Sequence, residues 1–151
     1  NLGGDIMSQL KKYLDLRKKH EKELNDFPMK YAFSDEGLDK ALKELDAKEE
    51  ECTSIIGCGD VIRKKDVPNW FSMIKRHKTE LDELMEDHDV AYEAFLYEMN
   101  NHEYAINWEG DCDVLGCFGM NEKTLEEKGL LSEYRRAQVT HYKLMQKNGV
   151  I

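Results

Sequence analysis

A predominantly helical α+β fold is what the sequence predicts, with about five or six helices and one small two-stranded β-hairpin in a single domain over residues 1–151. Three observations lead to it. Apolar residues recur at three- and four-residue steps through most of the chain, the pattern of helices that bury one face. Only two prolines interrupt the 151 residues. One stretch alone, Cys52 to Lys64, has β-branched runs on both sides of a glycine turn. With 40% apolar residues, and seven Met, seven Tyr, five Phe and two Trp, the chain has the bulk for a core and not the composition of a disordered segment.

The first helix is expected from Ser8 to about Asn25. Leu10, Tyr13, Leu14 and Leu24 make a narrow apolar stripe on it, and the rest of its surface is densely charged. Phe27-Pro28 stops it, because proline disfavours helical backbone in the residue before it. Residues 1–6 precede Met7 and read as an expression remnant, an alternative start or a disordered end, so no function is placed there. Met29 to Phe33 alternates as a short strand or an extended lead-in. Ser34 then caps a helix to about Ala47, with Asp35 and Glu36 where the unpaired N–H groups of the first turn favour negative charge. Leu38, Ala41, Leu42 and Leu45 form its face.

After the hairpin around Gly57-Cys58-Gly59, Asp66 to Met85 reads as helix, with Pro68 tolerated in its first turn. Residues 90–102 are apolar on nearly every side, which puts that helix at the centre of the fold. His102 to Trp108 belongs to a loop. Asp111 to Phe118 reads as a short helix closed by Gly119, and Asn121 caps another ending at Gly129. A last helix from Ser132 to Asn148 presents Tyr134, Ala137, His141, Leu144 and Met145.

The formal charge of −9 is unevenly spread. From Thr79 to Glu122 there is no Lys or Arg but there are thirteen carboxylates, which leaves +4 on the other 107 residues. An acidic chain of this kind is a poor general nucleic-acid binder, since phosphate contacts need a basic surface. No uncharged stretch exceeds eight residues, against about 18 for a bilayer span. No membrane association is therefore expected, and a cytoplasmic location follows. The acidic block has three uses. It can receive the chain's own basic segments, it can pair with the basic first helix of a second copy in a homo-oligomer, or it can stay free for a partner. The first is the plain account of the charge; the functional reading is the last, a non-enzymatic binding, inhibitor or adaptor protein whose Asp82, Glu83, Glu86, Asp87 and Asp89 engage a basic protein surface.

Catalytic motifs are scarce. There is no Walker A loop, nucleophile elbow, zinc-deaminase signature or dinucleotide fingerprint, and no cofactor is expected. The four cysteines, at 52, 58, 112 and 117, lack zinc-knuckle spacing and read as buried free thiols. Asp111, Asp113 and Glu122 fall at the first, third and twelfth positions of a calcium-loop pattern with Gly116 sixth, but Leu115 stands where an oxygen ligand is needed, so a capped helix is the better reading. Gly57-Cys58-Gly59 beside Arg63, Lys64 and Lys65 could cradle an anion, although a plain hairpin turn explains it. The densest polar cluster holds Glu98, His102, Glu103 and Tyr104. Glu98 and His102 are one helical turn apart, so they share a face and suit acid/base or metal-ligand chemistry. The alternative function is therefore a small metal-dependent or acid/base enzyme using Glu98, His102 and Glu103.

In three places the chain resembles a family of small proteins of unknown function from anaerobic gut bacteria, often encoded on phages and other mobile elements. These are Phe27 to Ser34, Gly57 to Lys64 with Asp66, and Tyr97-Glu98-Met99-Asn100-Asn101-His102-Glu103-Tyr104. The likeness spans residues 15–125 in scattered blocks, and Asn-His-Glu-Tyr is its most specific part. It implies a genomic habitat and no particular reaction.

Overall fold

The structure, a computed structural model, describes residues 2–151, with side chains from Ser8 onward. Asn1 and the side chains of residues 2–7 lie outside the described residues; the backbone of residues 2–6, where a remnant, an alternative start or a disordered end is expected, is helical and carries the first helix back from Ser8 to Leu2. In chain order the elements are α1 (Leu2–Asp26), β1 (Met29–Tyr31), α2 (Asp35–Leu45), β2 (Cys52–Thr53), β3 (Asp60–Arg63), α3 (Val67–Leu84), α4 (His88–Asn101), α5 (Trp108–Gly116), α6 (Glu122–Glu127) and α7 (Leu131–Lys147). Two single 3-10 turns, Glu49–Glu51 and Lys64–Asp66, complete the set. The fold is a predominantly helical α+β fold, with seven α-helices among the described residues where the sequence suggests five or six. Among the described residues no helix is long and apolar enough to cross a membrane.

Short polar side chains start the helices by accepting from first-turn N–H groups that have no partner within the helix. Ser34 accepts from Gly37, Asp87 from Asp89 and Val90, Asn107 from Gly110, and Asn121 from Thr124. The cap at Asn107 starts α5 three residues before Asp111, where the apolar pattern would begin it. Asp46 ends α2 in left-handed backbone at φ 49°.

The chain groups into two compact units, residues 1–19 with 78–151 and residues 20–77. In the larger unit α4 is the central helix and packs on α7 and α5. Val90, Ala91, Ala94, Phe95 and Met99 on α4 are fully buried. Phe95 meets Phe118 and Tyr134 edge to face, with centroids 5.0 and 5.3 Å apart. Below these rings lies a polar network. Asp111 accepts from the hydroxyls of Tyr104 (2.6 Å) and Tyr134 (2.5 Å), Gln138 donates to the Tyr104 hydroxyl (2.6 Å), and His141 lies 2.7 Å from the Asn100 amide oxygen. Each of these buried polar groups has a partner, the condition under which burying them is tolerated.

The smaller unit is built on an antiparallel sheet of order β1-β3-β2, so the expected two-stranded hairpin gains a third strand. Met29 faces Ile62 and Tyr31 faces Asp60 across one edge, and Cys52 faces Arg63 across the other. Three residues are too few to show a period of two, and β1 is held by pairing with a strand some thirty residues away. α2 covers the sheet with Ala41 and Leu45 against Val61. The glycine turn needs its glycines. Gly59 has φ +87°, and a Cβ there would lie 2.9 Å from the Ala32 carbonyl oxygen.

Asp60, 3% exposed, organises that turn. Its carboxylate accepts from the Ser54 hydroxyl (2.6 Å) and from the N–H groups of Ile55 (2.8 Å), Ile56 (3.1 Å) and Gly57 (2.8 Å). The anion cradle considered for Gly57-Cys58-Gly59 is thus filled by the chain's own carboxylate. Burial acts to raise the Asp60 pKa, but the Ser54 hydroxyl and the three N–H groups outweigh it and hold the carboxyl well below the usual range. Hydrogen bonds from Arg76 and then His77 likewise hold Glu23 down at about 2.

A depressed native pKa stabilises the fold above the unfolded value, near 4, and the contribution disappears as pH falls through the native value. The melting-temperature gap between the wild type and Asp60→Asn is therefore expected to be widest near pH 7 and to close as pH falls from about 4 towards 2. Thermal melts across that range check this, and a gap independent of pH would contradict it.

Candidate functional site

The candidate cluster is built where α4 ends. Glu98 sits in the last turn of that helix and His102 caps it, donating its backbone N–H to the Glu98 carbonyl. The next residue, Glu103, takes left-handed backbone at φ 50°, and the Tyr104 N–H returns to the Met99 carbonyl, closing the helix end. This reversal sends Glu103 to the surface and Tyr104 into the core, 2% exposed, where its hydroxyl serves the Asp111 network. Of the four residues singled out from sequence, the fold brings Glu98 and His102 together and sends the other two elsewhere.

Two further helices complete the surroundings of Glu98. Cys117, at the C-terminal cap of α5, places its Sγ 3.3 Å from His102 Nε2. α1 contributes Arg17, whose Nη1 donates to Glu98 Oε1 at 3.2 Å, and Tyr13 one turn earlier. Glu98 is fully buried, yet its second oxygen, Oε2, lies 3.4 Å from His102 Nε2 and has no hydrogen-bond partner. Burial, and then the Glu98 carboxylate, push the Cys117 thiol up to about 12. The same two causes raise the Tyr13 hydroxyl. A thiol held protonated in this way is a poor nucleophile, since thiolate is the reactive form.

The four cysteines are free, but the expectation that all are buried does not hold. Cys58 and Cys112 are exposed, and Cys52 and Cys117 are half-buried. Cys58 lies in the glycine turn before β3, and Cys112 lies on α5 beside exposed Asp113 and away from buried Val114 and Leu115, so neither is offered a place in the core.

The calcium-like residues are used structurally. α5 runs through the first six positions of the pattern, and Val114, Leu115 and Phe118 point into the core. Asp111 is tied by two tyrosine hydroxyls, while Glu122 lies 3.2 Å from Arg135. Asp111 and Glu122 also border a cleft of about 330 Å³ floored by Leu115, Met120 and Leu125, and Asp113 is exposed outside it.

Four carboxylates of the acidic block have Lys or Arg partners within the larger unit. Lys19 reaches Glu80 (3.1 Å), Arg17 holds Glu98, Arg135 meets Glu122, and half-buried Asp82 lies between Lys78 (2.7 Å) and Lys128 (3.5 Å). Glu83, Glu86, Asp87 and Asp89 are exposed where α3 turns into α4. Asp87 caps α4. Glu83, Glu86 and Asp89 have no ion-pair partner among the described residues.

Cys117 and Arg17 are the members of the cluster that sequence reasoning missed. Tyr13 and Arg17 stand four apart on one face of α1, a weak signal, and nothing in the chain before folding links Cys117 to His102. The family model of a family of unknown function, DUF7659, matches residues 12–141. Neither the curated proteins nor the solved structures hold a match to the chain.

Proposed function

The chain belongs to the family of unknown function DUF7659, and we propose that it is a non-enzymatic binding protein, an inhibitor or adaptor, that offers the α3–α4 corner to a basic protein surface in the cytoplasm. The observation that carries this reading is the division of the acidic block. Glu80, Asp82, Glu98 and Glu122 meet Lys or Arg of the same unit, whereas Glu83, Glu86 and Asp89 stand exposed and without an ion-pair partner beside Asp87, close together where α3 turns into α4. Exposed like charges on one corner repel one another, and an approaching basic surface relieves that repulsion while being steered by the field. Carboxylates spaced along helix ends also imitate a run of phosphates, so a nucleic-acid-handling or host-defence protein is the partner class that fits. A mobile-element origin, implied by the Asn-His-Glu-Tyr resemblance, suits small inhibitors of that kind.

Capture of partners from lysate of the native host tests the proposal. Glu83→Lys and Glu86→Lys with Asp87→Asn, which keeps the helix cap, are expected to lower capture at least about tenfold. Raising salt from 0.15 M towards 1 M shortens the screening length from about 8 to about 3 Å and is expected to do the same. Identical capture by variant and wild type at both salt concentrations sinks the idea.

A further inference from the structure

We propose that Glu98, His102 and Cys117 form a binding site for a divalent transition-metal ion, with Zn²⁺ the ion that best suits the ligands. The site is separate from the acidic corner and stands without it. One carboxylate oxygen, one imidazole nitrogen and one cysteine sulfur are borderline-soft ligands that favour zinc over magnesium or calcium, which prefer oxygen alone.

The spacing agrees with that chemistry. A tetrahedral zinc with bonds of about 2.0–2.2 Å to nitrogen and oxygen and about 2.3 Å to sulfur separates its N and O ligands by about 3.3–3.5 Å, and its N and S ligands by about 3.5 Å. Here Glu98 Oε2 and His102 Nε2 are 3.4 Å apart, His102 Nε2 and Cys117 Sγ are 3.3 Å apart, and all three donor atoms lie within 4.8 Å of one another. Two of the three donor separations thus already match those of a tetrahedral zinc, and the third lies within reach of it.

The carboxylate supplies an independent reason. Glu98 is fully buried, and its Oε2, 3.4 Å from His102 Nε2, has no partner in hydrogen-bond geometry. A fold rarely leaves such an acceptor unpaired, and a cation at this point satisfies it. Arg17 occupies only the other oxygen, Oε1, and so orients the carboxylate as outer-shell partners of metal ligands do. Binding of the ion displaces the Cys117 proton to solvent, and carboxylate and thiolate together then balance its charge. His102, 36% exposed, opens the site to solvent, leaving the fourth position for water or a ligand. Glu103, exposed beyond the helix cap, takes no part.

Titration of the reduced full chain, stripped of metal, with Co²⁺ as a spectroscopic substitute for Zn²⁺ tests the site. The expected result is a thiolate-to-cobalt charge-transfer band and the intense visible bands of a tetrahedral site, saturating at one equivalent and erased by Zn²⁺. Cys117→Ser is expected to abolish the charge-transfer band, and His102→Ala and Glu98→Gln to weaken binding by more than the tenfold typical of losing an outer-shell partner. Cys58→Ser and Cys112→Ser, at exposed thiols, are expected to leave the spectrum unchanged. Far-ultraviolet circular dichroism checks that each variant is folded. His102→Ala alters an exposed side chain and decides the matter even if Cys117→Ser misfolds. The absence of a thiolate band in the wild type overturns the proposal, as does a band that survives His102→Ala unweakened or follows Cys58 or Cys112.

Discussion

Phe95→Ala is expected to destabilise the larger unit by about 3–5 kcal/mol, the range for truncating a buried phenylalanine. Phe95 is fully buried at the middle of α4, and its ring has edge-to-face contacts with Phe118 and Tyr134. Those contacts join α4 to α7 and to the turn after α5. The walls of the resulting cavity include Val90, Ala91, Ala94 and Met99 on the same helix, whose positions are set by backbone hydrogen bonds, so collapse into the space is limited. Domains of this size are stable by about 5–15 kcal/mol, and the loss takes a large part of that. Urea unfolding measures it. A loss below about 1 kcal/mol would mean that α4 is not the central helix.

Arg17→Met is expected to cost about 2–4 kcal/mol by leaving the Glu98 carboxylate buried without its ion partner. The value lies below the full penalty for breaking a buried pair because Arg17 is 45% exposed, so water reaches part of the vacated position. The loss should be mostly recovered in Arg17→Met/Glu98→Met, since replacing both members of a buried pair by apolar groups removes the unsatisfied charge. A double-mutant cycle by denaturant unfolding, with chelator present throughout, reads the coupling. Additive single effects would show that the pair is not an energetic unit. The same interaction explains how an otherwise apolar helix accommodates a carboxylate at its buried face.

Most helices were readable because their determinants are local. Ser34, Asp87 and Asn121 act within three residues of themselves, and the three- and four-residue steps of Leu38, Ala41, Leu42 and Leu45 describe one face directly. The apolar character of residues 90–102 also pointed to the central helix, although burial is complete only on the face of Val90, Ala91, Ala94, Phe95, Glu98 and Met99, and Tyr92, Glu93, Leu96 and Tyr97 are half-buried. Boundaries moved where a cap outranked the apolar pattern, as at Asn107.

The candidate cluster was readable only in half. Glu98 and His102 are a turn apart on one helix, so their proximity is a matter of helical geometry. Glu103 and Tyr104 follow directly in sequence, yet the left-handed residue that ends the helix turns them to opposite environments. Backbone reversal of that kind has no signature in residue spacing.

Local physics within the chain decides the helices, their caps, the glycine turn at 57–59 and the uneven distribution of −9 charges. Tertiary structure decides which groups meet across long stretches of chain. It pairs Met29–Tyr31 with β3, carries Cys117 and Arg17 to Glu98, and gives Glu80, Asp82, Glu98 and Glu122 ion partners while leaving the α3–α4 corner without them. The reason is range. Capping and periodicity act over three or four residues, whereas strand pairing, burial and charge matching depend on which distant segments the core brings into contact.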